Sequence, residues 1–67
     1  KTTLQLTERE TEVLKAVALG ERNKEVALKL NITERTVKAH LTSIYNKFGV
    51  DSRAAAVAIA SQNGLLS

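Results

Sequence analysis

Arg35, Ala39, Thr42 and Asn46 recur at spacings of 4, 3 and 4, with Lys38, Ser43 and Lys47 on either side of them. On a helix these positions make one face of short polar groups flanked by cations. No acidic side chain follows Glu34 there. Such a face can donate to phosphate oxygens and meet base edges, which is the chemistry of an element lying in the major groove of DNA. The same pattern also fits an ordinary amphipathic surface helix with solvated charge, and the helix alone does not separate the two. Other chemistry is poorly provided for. His40 is the only histidine and there is no cysteine, so a metal site lacks ligands. Ser43 and Ser52 have no histidine–acid partners that so short a chain could gather around them. Glu8, Glu10 and Glu12 suit a helix N-terminus better than acid–base work. There is no glycine-rich phosphate loop, and no enzymatic activity or cofactor is expected.

Something must hold that polar face in place. Val37, Leu41, Ile44 and Phe48 form an apolar stripe on its opposite side, again at 4, 3 and 4. Thr33 is the expected N-cap and Gly49 the expected stop, giving a helix over about 34–48. Upstream, Thr7 and Glu10 read as a capping box for a helix over about 8–19, with Val13, Leu14, Val17 and Ala18 buried and Gly20 ending it. Asn23 is the candidate cap of a short helix over 24–30, with Val26, Ala27 and Leu30 on one side. Asn31 suits a left-handed stop. Only a three-residue turn separates this helix from the next, and the apolar Ile32 within it should fold back on the core. Two helices joined so tightly match a helix-turn-helix, although plain helical hairpins look similar.

A last helix is expected over about 53–63, capped by Ser52 or Asp51 and stopped by Gly64. Its run from Ala54 to Ala60 is apolar on every side. Either one face packs on the core while Ala54, Val57, Ala58 and Ser61 meet a partner, or the alanines are simply good helix formers tolerating water. Leu65 and Leu66 would close the core. The fold class is therefore all-α, with four helices and no strand periodicity.

Length and charge bound these readings. Sixty-seven residues make one small domain, residues 6–67, behind a polar lead-in at 1–5 that reads as a linker or frayed terminus. A net charge of +3 is a mild pointer to a polyanion. One tyrosine and one phenylalanine argue against a base-stacking RNA module. No apolar run could span a bilayer, no signal peptide is visible, and a cytoplasmic protein is expected. The chain begins at Lys1, so a fragment or processed form is expected.

Taken together, Leu6–Glu10, Glu12–Leu14, Gly20, Asn23–Ala27, Leu30–His40, Ile44–Val50 and Ser52–Ala54 resemble the LuxR/NarL/GerE-type helix-turn-helix domain over nearly the whole chain. The resemblance implies a four-helix domain binding double-stranded DNA, at the C-terminus of a response regulator or a ligand-sensing activator. It implies a regulatory domain on the N-terminal side, outside this chain. It also implies homodimers through the last helix, at Ala54, Val57, Ala58 and Ser61. Lys38, Ala39 and Thr42 would then approach bases, together with Arg35 on the same face. Asn23, Lys24, Thr36, His40 and Lys47 would meet phosphate, with Ser43 beside them. Thr42 departs from the larger or basic residue common there and reaches less far. A helical protein-interaction module without DNA is the competing reading.

Overall fold

The computed structural model describes residues 5–66, which form α1 (Glu8–Ala18), α2 (Asn23–Leu30), α3 (Glu34–Phe48) and α4 (Arg53–Gln62). Residues 1–4 of the expected lead-in lie outside the described residues, as does Ser67. The helix α3 packs against each of the other three. Its apolar stripe explains why: Val37 and Ile44 are fully buried, and Leu41 and Phe48 nearly so. They meet Val13, Leu14 and Val17 of α1, Val26 and Ala27 of α2, and Ala56 and Ala60 of α4 in a single core. The small Ala27 is what lets α2 cross close to α3 in the tight pair.

Helix starts follow side-chain chemistry. The Thr7 N–H donates to Glu10 Oε1 at 2.9 Å, and the Glu10 N–H donates to Thr7 Oγ1 at 3.1 Å, which closes the expected capping box. Thr33 accepts from the Thr36 N–H at 3.1 Å, and Ser52 accepts from the Ala55 N–H at 3.1 Å. The start of α2 differs from expectation. Its cap residue is Arg22, whose N–H is taken by the Glu25 carboxylate at 2.7 Å, while Asn23 lies inside the helix. Asn23 is left free for a different task.

The ends share one device. Gly20, Asn31, Gly49 and Gly64 all have positive φ. The residue after each donates its N–H five positions back, at 2.9–3.2 Å: Glu21 to Ala16, Ile32 to Ala27, Val50 to Tyr45 and Leu65 to Ala60. This Schellman bond turns the chain sharply and brings the following residue onto the helix it has left. Ile32, Val50 and Leu65 are accordingly half-buried against the core, with Leu66 beside them. At Asn31 the left-handed conformation (φ 59°) falls to a residue with a Cβ, which asparagine tolerates better than most.

Boundaries shift slightly. The first helix ends at Ala18, one residue early, and the last at Gln62, also one early. One core assignment changes: Ala18 is exposed, and Ala16 is buried in its place. The inward arc of α1 is centred on Val13 and Val17, and Ala16 lies within it whereas Ala18 falls past its edge.

Candidate nucleic-acid interface

The α3 stripe sits in the core, so the opposite face must point outward. Arg35, Lys38, Ala39, Thr42 and Asn46 are all exposed there. Lys38 and Arg35 make no ion pair among the described residues, whose pairs are Arg9–Glu12, Lys29–Glu21 and Lys47–Glu10. Their charges therefore remain available to a polyanion.

The two flanks of α3 look at different neighbours. On one side Lys38, Leu41, Thr42 and Tyr45 line a cavity of about 240 Å³ with Asn23 of α2 and Arg53 of α4. This brings Asn23 beside Lys38 and Thr42, although they are far apart in sequence. Asn23 is half-buried, and its Oδ1 accepts from Arg53 Nη2 at 2.6 Å. Arg53 Nη1 donates to the Glu21 carbonyl at 3.3 Å. Lys24, one residue on, is exposed.

The other flank faces α1. Ser43 Oγ donates to Glu10 Oε2 at 2.6 Å, and Lys47 Nζ donates to Glu10 Oε1 at 2.7 Å. These two residues, expected on phosphate, thus hold the buried Glu10 carboxylate. Thr36, half-buried, shares a 3.0 Å hydroxyl contact with Thr33, and His40 is half-buried on the same flank.

Burial alone opposes ionisation of Glu10. Hydrogen bonds from Lys47, Ser43 and the Thr7 N–H, with the Lys47 charge, outweigh it and lower the carboxyl from 4.5 to about 2. A carboxyl with a folded pKa below its unfolded one stabilises the fold above the unfolded value. That contribution disappears as pH falls towards the folded value, here between about 4.5 and 2. The Lys47 side chain is 35% exposed, so water screens part of the interaction. A contribution on the order of 2 kcal/mol remains. The stability gap between the native chain and Glu10→Gln should therefore be about 2 kcal/mol at pH 7 and close towards pH 2. Urea unfolding at a series of pH values measures it, and a gap that does not change with pH would refute this account.

The last helix presents a second surface. Ala54, Val57, Ala58 and Ser61 line an open groove with Val17, Ala18 and Arg53. Ala54, Ala58 and Ser61 are exposed, whereas Ala56 and Ala60 are buried on the core side. The all-round apolar character of α4 thus splits into a core face and an outward face. Among the described residues no group of His, Cys, Asp or Glu could hold a metal ion, and no helix is long and apolar enough to cross a membrane.

A family model described as bacterial regulatory proteins, luxR family, matches residues 4–60. The chain belongs to the luxR family. It is 57% identical over 63 residues to the transcriptional regulatory protein YdfI of Bacillus subtilis, a match covering 94% of this chain and 30% of that protein. It is 51% identical over 51 residues to the nitrate/nitrite response regulator protein NarP of Escherichia coli, covering 76% of this chain and 24% of NarP. Among solved structures, the transcription factor GerE superposes with a TM-score of 0.89 at 32% identity, covering 97% of this chain and 96% of GerE. The response regulator ChrA of a heme-sensing two-component system superposes at 0.88 with 46% identity, covering 97% of this chain and 32% of ChrA. The chain thus spans under a third of the length of YdfI, NarP and ChrA and nearly the whole of GerE.

In this luxR-family domain three contributors escape a reading of local pattern. Tyr45 reaches the Asn23 cavity from the edge of the core stripe. Glu10, readable as a cap, also bridges α1 to α3. Arg53 carries the clearest overlooked signal. A cation in the first turn of a helix opposes the helix dipole, and α4, unlike the other three helices, has no acidic residue in that turn to offset it.

Proposed function

We propose that this chain binds double-stranded DNA with sequence preference, as the output domain of a cytoplasmic bacterial transcription regulator that acts as a pair. The observation that carries the reading is the exposed α3 face, with no acidic side chain after Glu34, set opposite a buried apolar stripe. In this proposal α3 enters the major groove, where Arg35, Lys38, Ala39 and Thr42 approach bases. Asn23, Lys24, Thr36 and His40 meet phosphate from the two flanks and set the register. Lys47 adds its remaining N–H donors, and Ser43 reaches phosphate only by giving up Glu10. Two copies pair through Ala54, Val57, Ala58 and Ser61. The similarity to the response regulators NarP and ChrA favours a response regulator, with a regulatory domain N-terminal to residues 6–67.

Fluorescence anisotropy of a labelled random duplex tests the first step. Affinity should fall steeply as salt rises, because each neutralised phosphate adds nearly one unit to the log–log slope. Absence of binding at low salt would refute DNA contact and leave the groove on α4 as a protein-docking surface.

A further inference from the structure

We infer that Arg53 is a positioning residue for DNA binding: it fixes the side-chain amide of Asn23 so that its N–H₂ edge faces the backbone phosphate. The inference rests on the DNA-binding reading above. The atom of Asn23 that lies 2.6 Å from the guanidinium must be the oxygen, because arginine only donates. The two N–H donors of Asn23 are then turned away from Arg53. A free asparagine side chain can present either edge, and the flipped one would set a carbonyl oxygen against a phosphate. Arg53 removes that choice. It is itself held, because Nη1 donates to the Glu21 carbonyl, at the turn leading into α2. The guanidinium thus ties the first turn of α4 to the first turn of α2 and is placed by both.

This accounts for three facts together. Asn23 is not the cap of its helix, since Glu25 takes the Arg22 N–H and leaves the Asn23 side chain free. Arg53 sits where the helix dipole disfavours a cation. The Asn23 cavity also holds Lys38 and Thr42, so a fixed amide there orients the edge of the α3 face. Arg53 also lines the groove that contains Val57 and Ala58. A single side chain therefore borders both the pairing surface and the DNA-facing cavity.

The test is a double-substitution cycle on this chain, with a random duplex as probe and anisotropy read across a salt series. Arg53→Ala is expected to weaken binding about 3–10-fold, and Asn23→Ala by a similar factor. In the Asn23→Ala background, Arg53→Ala should cost less than about 2-fold, because the group it orients is gone. The log–log salt slope should stay within about half a unit of the native value, since a neutral amide displaces no counterion. Arg53→Lys keeps a donor and should restore most of the loss. Thermal unfolding accompanies each variant, and Arg53→Met, which keeps the aliphatic stem, replaces Arg53→Ala if that variant is unfolded. A loss that persists in the Asn23→Ala background overturns the proposal. So does a slope that falls by about one unit, which would place Arg53 on phosphate itself. Binding by the native chain that Arg53→Ala leaves unchanged overturns the proposal alone, whereas no binding by the native chain overturns the DNA reading with it.

Discussion

Ile44→Ala should lower the melting temperature by more than about 10 °C and leave the domain partly unfolded at 37 °C. Ile44 is fully buried at the centre of the α3 stripe. Truncating a buried isoleucine to alanine costs about 2–5 kcal/mol, through lost transfer energy and the cavity left behind. A chain of 67 residues has on the order of 3–10 kcal/mol of stability in all. For a domain of this size each kcal/mol moves the midpoint by roughly 4–8 °C. The effect is specific to position. Ile44→Val removes one methylene and should cost only about 0.5–1.5 kcal/mol. Leu28→Ala, at a leucine 74% exposed on α2, should change the midpoint little. Thermal unfolding followed by circular dichroism compares the three. A shift of under about 5 °C for Ile44→Ala would mean that the core collapses around the gap, and that α3 is held by its flanks rather than its stripe. The functional consequence follows directly, since the stripe is what keeps the opposite face of α3 turned outward.

The order and faces of the helices are legible in the sequence because they depend on local rules. Val37, Leu41, Ile44 and Phe48 repeat at helical spacing, and all four are buried. Thr7, Thr33 and Ser52 each cap a backbone N–H three residues on, within the reach of simple pattern reading. The stops at Gly20, Asn31, Gly49 and Gly64 are equally local. What escapes depends on residues distant in sequence. Asn23 looks like a cap by type, and the capping role passes to the Arg22 backbone because Glu25 lies three residues on. The asparagine is then taken by Arg53, thirty positions away. Ser43 and Lys47 look like free donors on a helix flank, and nothing near them in sequence reveals that Glu10 of α1 lies opposite. Alanine gives the least guidance of all. Ala16 and Ala18 differ in burial only because the partner helices cover one side of α1, and the type of the residue carries no trace of that.

Lys38→Ala should weaken binding to the preferred duplex by about 1–3 kcal/mol, roughly 5–150-fold, and to a random duplex by distinctly less. Lys38 is exposed, makes no ion pair among the described residues, and borders the cavity that holds Asn23 and Thr42. Its ammonium is therefore available, and its position is set by the rigid helix that carries it. A lysine on base edges donates most readily to the O6 and N7 acceptors of guanine, so a guanine is expected at one position of the half-site found by selection. Loss of a phosphate contact would lower the log–log salt slope by about one unit on both duplexes, whereas loss of a base contact should leave it within about half a unit. The ratio of specific to random binding reads the same distinction independently. If that ratio collapses in Lys38→Ala while Thr42→Ala alters preference at a neighbouring position, the α3 face is reading sequence. If both duplexes weaken equally, Lys38 grips the backbone, and discrimination must rest on Arg35, Ala39 and Thr42. Thr42 reaches less far than Arg35, so its contribution then depends on a thymine methyl or an edge donor brought close by the phosphate contacts on the flanks.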